Sequence, residues 1–556
     1  MPQVVINDFH DGVNSYKSDM NTNLYQFLAD LNLIDAPCGG VGCCGKCKVR
    51  ILNQDFTLHN TEKEFFTEKE LSQGWRLACL HGVETDITLE LSPKEVISEI
   101  VSDGYLRDFV KKPHISKTLD QNGNTLLMAG DEVIGQEQGD TRNRLFGLAM
   151  DIGTTTVVAS LIDLLTGQEL TSISCLNGQK NFGQDVITRI NYAMTQTKGT
   201  LILQKTILQD LRNLIEGILT QCRGNYPLTP HDIYDISIGA NATMIHLLAG
   251  IDPSSMGKSP YATAFSGPLV MNGSKDLKLP VSEHCLVYCL PAVSAFVGGD
   301  ITAGILACGI HDASKNVLFI DIGTNGEMVL SKNGKFYACS CAAGPALEGM
   351  NISCGVRAAK GAIEDVQLVG VGKDIAVKVS VIGEAKPTGL CGSGLLSAVA
   401  ELARTGILHK SGRLLEHPLV ERVAGKKRFI IDQDNEIYLT QQDIRQVQLA
   451  KGAILSGIQT MAQANEMTFS EIDQVMVAGQ FGAHLKAESL TGAGLFPQEL
   501  ENVITYVGNT SKSGAYLCLL SSEEREAAEK IAKKISYIEL SHLDGYDSLF
   551  VKGMEF

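Results

Sequence analysis

Apolar and polar positions change rhythm along the 556-residue chain, and each rhythm marks a different kind of structure. To about residue 93, short runs such as VVINDF, VNSYKS, KVRIL and DITLEL predict strands. Between them Leu24, Phe27, Leu28 and Leu31 recur at helical spacing, and TEKEFFTEKELSQGW predicts a further helical stretch. Residues 94–143 are mixed and charged, with polar runs such as DQNGN and GQEQGDTRN, and predict a linker with some helix. From 144 to 556, apolar strands alternate with amphipathic helices, which is an α/β pattern.

That last region contains an echo of itself. Residues 147–158 read GLAMDIGTTTVV and residues 317–329 read VLFIDIGTNGEMV. Each is a buried strand, then Asp-Ile-Gly-Thr, then a polar turn into a second apolar strand. Such a hairpin, repeated, predicts two related half-domains, about 144–315 and 316–556, facing one cleft.

Length and charge narrow the class. A chain of this size exceeds what one hydrophobic core organises, so several domains are expected. The formal net charge of −16, from 47 basic and 63 acidic residues, argues against nucleic-acid binding, which leaves a basic footprint. No apolar run approaches the ~18 residues of a membrane span, and MPQVVINDFHD lacks the basic and apolar segments of a secretion signal. A cytoplasmic protein without membrane contact is expected.

The 15 cysteines then point to thiols or metal ligands in preference to a disulfide framework. Cys38, Cys43, Cys44 and Cys47 crowd the glycine-rich segment APCGGVGCCGKCKVRIL, and Cys79 follows in RLACLHG. Plant-type 2Fe-2S ferredoxins space three ligands as C-x4-C-x2-C with a distant fourth. Starting from Cys38 and Cys43 that frame fails at Lys46, whereas Cys38, Cys44 and Cys47 give C-x5-C-x2-C, with Cys79 as the fourth ligand and Cys43 spare. Gly39, Gly40, Gly42 and Gly45 let backbone N–H groups approach a cluster closely. Zinc sites more often show two paired knuckles, and here only Cys44 and Cys47 form a close pair. Residues 1–93 are therefore expected to form a β-grasp ferredoxin domain holding a 2Fe-2S cluster.

The repeated hairpins suit a nucleotide. A Gly-Thr turn between strands offers N–H groups and hydroxyls to phosphate, and an Asp at the strand end can hold Mg²⁺ directly or through water. Asp151 and Asp321 are expected near the metal. Gly153, Thr154, Thr155, Thr156, Gly323, Thr324, Asn325 and Gly326 are expected on the phosphates of ATP, and Glu327 is a candidate for orienting a water. Gly392, Ser393 and Gly394 open an amphipathic helix whose N-terminus suits an anion. Gly479 and Gly482, in the AGQFG segment after the strand QVMVAG, are candidates for covering base or ribose. No Walker P-loop, G-x4-G-K-[ST], occurs.

The hairpins and AGQFG resemble the acetate and sugar kinase, Hsp70 and actin superfamily (ASKHA). Joined to a C-x5-C-x2-C…C ferredoxin, the chain is similar to the reductive activators of corrinoid proteins, including the activating enzymes of corrinoid-dependent O-demethylases. NFGQDVITRI (181–190), GANATMIHLL (239–248), PAVSAFVGGD (291–300), CSCAAGPALEGMNISCG (339–355) and GLCGSGLL (389–396) carry the likeness further. The resemblance implies a multidomain α/β actin-like ATPase behind the ferredoxin. It also implies an activity: ATP-dependent reduction of a partner's corrinoid from Co(II) to Co(I) in support of methyl transfer. A low-potential donor (a ferredoxin, a flavodoxin or a reductase) would feed the cluster, and a homodimer is among the assemblies it allows. Members of the family carry a middle domain, for which 94–143 is short, so that domain is expected to be reduced or absent. Ser340, in a loop Cys339-Ser340-Cys341 after the second hairpin, is an oxygen-ligand candidate for the partner's Co(II). A small-molecule kinase with a redox-sensing ferredoxin domain is the alternative that the superfamily alone allows.

Overall fold

The computed structural model describes all residues except 9–11, 32, 35–39, 41, 43, 44, 46, 54, 55, 92–103, 224–227, 266, 313, 424 and 480–484. It divides into two units, Met1–Ile97 with Gly178–Tyr192, and Ser98–Asn177 with Ala193–Phe556. The stretch 178–192, expected within the ATPase region, thus clusters with the first unit.

The first unit is built on a five-stranded sheet in the spatial order Gly12–Lys17, Gln3–Asp8, Ile87–Leu91, Lys48–Ile51, Trp75–Leu77. Gln3–Asp8 and Ile87–Leu91, far apart in sequence, pair in parallel, while the flanking pairs are antiparallel. The helix Leu24–Asp30 buries Leu24, Tyr25, Leu28 and Ala29, and the Asn23 side chain caps its N-terminus. TEKEFFTEKELSQGW is helical only in short pieces. A single 3-10 turn ends at Glu64, and Glu68–Ser72 begins at a Thr67–Glu70 capping box. This is the mixed, crossed topology of a β-grasp ferredoxin, with Val4, Ile6, Val49, Leu77 and Leu89 in its core.

The second unit contains the duplication. One six-stranded sheet runs Glu169–Leu176, Thr156–Asp163, Phe146–Ile152, Ile233–Ala240, Leu286–Ala292, Gly267–Asn272. The other runs Ile535–Tyr537, Lys335–Cys341, Gly326–Lys332, Val317–Ile322, Gln474–Ala478, Ile504–Gly508. In each, an Asp-Ile-Gly-Thr hairpin and a third antiparallel strand lie beside two further strands running parallel to the hairpin's first. Helices Gly299–Ala307 and Thr510–Leu520 pack in the core against these sheets, with Phe319 and Leu517 fully buried. This is an ASKHA-type α/β fold, and the matching central strands put both Gly-Thr turns at corresponding strand ends.

Over its described residues, 104–143, the stretch 94–143 is not a linker with helix. Ile115–Leu119, Thr125–Ala129 and Glu132–Glu137 make an antiparallel sheet. Its buried apolar side chains, Ile115 and Leu127, join the same core cluster as Leu145, Tyr234 and Tyr288. Lys117 fastens it: the ammonium donates to Glu137, to Thr141, to the Arg144 carbonyl and to the Tyr234 hydroxyl at 2.8–3.1 Å. The DQNGN run that reads as linker is the tight turn between the first two strands, with Asp120 accepting from the Asn122 and Asn124 amides. Likewise Cys339-Ser340-Cys341 is not a loop but the end of the strand Lys335–Cys341.

Candidate functional site: an acidic cleft and a thiol pair

In the second unit the two hairpin turns line one cleft. Gly153, Thr154, Thr155 and Thr156 come from the first, and Gly323, Thr324 and Asn325 from the second. Both turns are tightened by their own backbone: the Gly153 amide donates to Thr156 O and the Gly323 amide to Asn325 O, each at 2.9 Å. Asp151, Asp300, Asp321, Glu327 and Glu348 supply five carboxylates, and the lining contains no Lys or Arg among the described residues.

Cross-strand register orders part of this wall. Asp321 pairs with Glu327, and Glu327 pairs with Ser340 on the next strand. Residues paired in antiparallel strands share a face, so the three form one row across the sheet. Period-two alternation sends Cys339 and Cys341 to the opposite face, where both are buried in the core.

Burial dominates the titration of the cleft. It pushes the Asp321 carboxyl up to about 8, aided by the charges of Asp300, Asp151 and Glu348. It pushes Asp300 up to about 7, aided by Asp151. Glu327 is driven well up by burial and by Asp300 and Asp321. Asp151 also rises on burial, against the pull of Ser511, Asn509 and the Lys512 charge. Asn509, which caps the helix Thr510–Leu520, donates its amide N–H to Asp151 Oδ2 at 2.9 Å. Asn241 donates to Thr154 Oγ1 at 3.1 Å. Gly479, with φ +104°, lies so close that a Cβ there would stand 2.8 Å from Asp321 Oδ1.

Gly392, Ser393 and Gly394 do not line this cleft. They are buried at the start of the helix Gly392–Arg404, and a Cβ on Gly394 would fall 2.1 Å from the Ile363 carbonyl oxygen. Close packing of helix on strand is what Gly394 permits here. Gly326 begins the second strand of its hairpin beside Cys341, and Gly482 lies outside the described residues.

In the first unit, Cys47 and Cys79 bring their sulfurs to 3.2 Å with no disulfide between them. A metal ion with metal–sulfur bonds of about 2.3 Å can hold such a pair. Gly42, at φ +84°, passes so near that a Cβ on it would touch Leu80 and approach the Cys79 sulfur to 4.0 Å. These features fit a cluster seated against bare backbone. Cys38 and Cys44, with the spare Cys43, lie outside the described residues. The same unit holds a buried carboxylate that sequence reasoning missed. Glu62 is fully buried and accepts from the Leu77 amide at 2.8 Å and the His59 amide at 2.9 Å, with the His81 ring at 3.0 Å. Burial alone would raise its pKa; the two amides and His81 outweigh that and hold it below the usual range.

The parts have relatives in which they occur together. Family models match as a 2Fe-2S iron-sulfur cluster binding domain at residues 9–84, the RACo middle region at 146–313, and the C-terminal domain of RACo, the ASKHA domain, at 315–556. The corrinoid activation enzyme RamQ of Eubacterium limosum is 30% identical over 92% of this chain and 91% of its own. The chain belongs to the family of reductive activators of corrinoid proteins.

A more distant relative is a reductase of the Co(II) methylated amine-specific corrinoid protein from Methanosarcina barkeri, 24% identical over 70% of this chain and 73% of its own length. The solved structure of a reductive activator for corrinoid, iron-sulfur protein matches at a TM-score of 0.72 and 30% identity, over 100% of this chain and 98% of that one. The matched middle region begins at residue 146, so in this activator it coincides with the first hairpin sheet and not with 94–143. Asn241, Asp300, Glu348 and Asn509 are cleft residues that sequence reasoning did not single out. The first three stood inside GANATMIHLL, PAVSAFVGGD and CSCAAGPALEGMNISCG, whereas Asn509 had no local signal.

Proposed function

We infer that this activator uses ATP in the acidic cleft to drive one electron onto the Co(II) corrinoid of a partner protein, returning it to Co(I) for methyl transfer. The observation that carries this reading is the pairing, in one chain, of a ferredoxin thiol site with a two-hairpin cleft whose second wall continues to Ser340. Bound at Cys38, Cys44, Cys47 and Cys79, a 2Fe-2S cluster supplies a low-potential one-electron carrier.

The cleft would take its nucleotide with Mg²⁺. A polyphosphate brought among Asp151, Asp300, Asp321, Glu327 and Glu348 meets like charge unless a divalent cation comes with it. Asp151 and Asp321 would hold Mg²⁺ directly or through water, since Mg²⁺ is commonly bound by one or two carboxylates beside substrate phosphates and retained waters. The Gly153–Thr156 and Gly323–Asn325 turns would grip the phosphates from both sides, and Glu327 would orient the attacking water.

ATP drives the reduction only if its binding or hydrolysis changes the affinity for one partner state over the other. For one electron about 59 mV is a tenfold change in equilibrium, or about 1.4 kcal/mol. A gap of a few hundred mV thus needs several kcal/mol of differential binding. Ser340, in the row beside Glu327, is the group proposed to meet the corrin cobalt. A ferredoxin, flavodoxin or reductase would supply the electron, a cytoplasmic setting would suit the thiols, and a homodimer is compatible with the reading. Among the described residues no helix is long and apolar enough to cross a membrane.

Anaerobic spectroscopy tests this. A Co(II) corrinoid protein, this protein and a reductant should yield Co(I) absorbance only when Mg·ATP is added. D321A and C47S should each abolish it. Phosphate transfer to a small acceptor without cobalt reduction would overturn the reading.

A further inference from the structure

Glu348 touches both hairpins at once. It ends the 3-10 turn Pro345–Glu348, which follows the strand Lys335–Cys341. Its Oε1 accepts from the Thr324 hydroxyl at 2.7 Å, and its Oε2 accepts from the Thr155 hydroxyl at 3.2 Å. Thr155 and Thr324 lie in the turns of hairpins from different sheets, 169 positions apart, yet one carboxylate occupies both. The turn is also fixed to the second hairpin through its backbone, since the Gly344 amide donates to Thr324 O at 2.8 Å.

The chemistry of this contact conflicts with a bound nucleotide. A hydroxyl has one proton to donate. A threonine whose proton goes to a carboxylate cannot give it to a phosphate oxygen. The carboxylate itself repels the same phosphate. Glu348 thus occupies the donors that a triphosphate between the two turns would use.

We propose that Glu348 is a positioning residue that clasps the two hairpins until nucleotide arrives and must release Thr155 and Thr324 before Mg·ATP seats. The proposal rests on the reading of the cleft as an ATP site and deepens it. It assigns a cost to binding, and with it a place where nucleotide occupancy is sensed. When the hydroxyls turn to phosphate, the freed carboxylate loosens the turn Pro345–Glu348, which begins four residues beyond the end of the strand that bears Ser340. Occupancy of the cleft is thereby relayed to the strand that faces the partner.

A double-mutant cycle on the full-length, cluster-loaded protein tests the clasp, with the dissociation constant for Mg·ATP measured by calorimetry under anaerobic conditions. E348A should tighten Mg·ATP on the order of tenfold, which is what a hydrogen bond to a charged group is worth. E348Q, nearly isosteric, keeps one acceptor oxygen and should fall between E348A and wild type; it also serves if E348A proves unstable. In a T155V/T324V background the E348A gain should vanish, since no hydroxyl remains to be released. Amide exchange supplies an independent readout: in E348A the turns 153–155 and 323–325 should exchange faster without nucleotide and as wild type with it. Unchanged or weaker binding in both Glu348 variants overturns the clasp. An equal gain in the T155V/T324V background also overturns it, by assigning the effect to charge alone. Failure of wild type to bind Mg·ATP at all would instead remove the ATP reading on which the clasp rests.

Discussion

Glu327 and Ser340 stand opposite one another in register on adjacent antiparallel strands, and Glu327 is in turn the register partner of Asp321. Neighbouring strands lie about 4.8 Å apart, so Ser340 is roughly 10 Å from the acidic end of the second hairpin, along a row of side chains on one face. That row is a short physical route between the acidic cleft and whatever approaches Ser340.

If Ser340 meets the partner's cobalt, its loss should separate two activities. S340A is expected to leave ATP turnover and the visible spectrum of the cluster as in wild type. It should slow ATP-dependent Co(I) formation by about tenfold, equivalent to about 1.4 kcal/mol in a barrier. Stopped-flow absorbance with a Co(II) corrinoid protein, beside a phosphate-release assay, reads both. An equal fall in the two rates would place Ser340 in the nucleotide site and not beyond it.

The cleft's carboxylates make stability depend on pH in an unusual direction. Asp321 is raised to about 8 and Asp300 to about 7, each chiefly by burial, whereas an unfolded Asp titrates near ~3.9. The folded protein therefore holds protons that the unfolded chain has released. The stability they contribute is complete below the unfolded pKa and is lost as pH rises through 7 and 8. Without nucleotide the protein should melt at a lower temperature at pH 8.5 than at pH 6.5, and D321N should flatten that slope. Mg·ATP binding, which calls for ionised carboxylates, should strengthen over the same interval and disappear when EDTA removes the metal. A D321N slope equal to that of wild type would remove Asp321 as its source.

The ferredoxin unit makes a different demand on a buried acid. C79S should eliminate the visible spectrum of the cluster while leaving Mg·ATP binding in place. The Glu62 carboxylate satisfies the amides of His59 and Leu77, the latter two residues before Cys79. E62A leaves the buried Leu77 amide unpaired, at about 1–3 kcal/mol, and the part-buried His59 amide with it. Thermal bleaching of the cluster should shift down in E62A and less in E62Q. Equal bleaching temperatures in E62A and wild type would show that the segment holding Cys79 does not depend on Glu62.

What the sequence made legible was local. Asp-Ile-Gly-Thr with its flanking apolar strands is a complete hairpin within about a dozen residues, and the thiol spacing is short enough to count. Cleft residues that arrive from distant elements left weaker marks. Asn509 reaches Asp151 across 358 positions and Glu348 reaches Thr155 across 193, and no periodicity encodes such a meeting. The sheet at 115–137 was misread because its strands are short and bury little beyond Ile115 and Leu127, so polar turn residues dominate its composition. Cys339-Ser340-Cys341 did carry a usable signal. Apolar–polar–apolar alternation is the signature of a strand with one face buried, and it sends the serine to the open face.

Two glycines that look alike in the sequence should behave differently when replaced. Gly394 sits at a buried helix start away from the cleft lining, where an added Cβ would fall 2.1 Å from the Ile363 carbonyl oxygen, far inside contact. G394A must push helix from strand, and overpacking of this kind costs ~1–3 kcal/mol. Gly479 has φ +104°, and a Cβ on it would stand 2.6 Å from the Ile322 carbonyl oxygen and 2.8 Å from Asp321 Oδ1. G479A therefore displaces the carboxylate proposed to hold the metal, in a backbone region that side chains rarely adopt. G394A is expected to lower the melting temperature by several degrees with little change in the Mg·ATP dissociation constant. G479A is expected to weaken Mg·ATP at least tenfold, beyond what its change in melting temperature accounts for. Melting curves and calorimetry on the two variants decide between a packing glycine and a site glycine: if G394A instead weakens nucleotide binding as strongly as G479A, the helix start at Gly392 belongs to the nucleotide site after all.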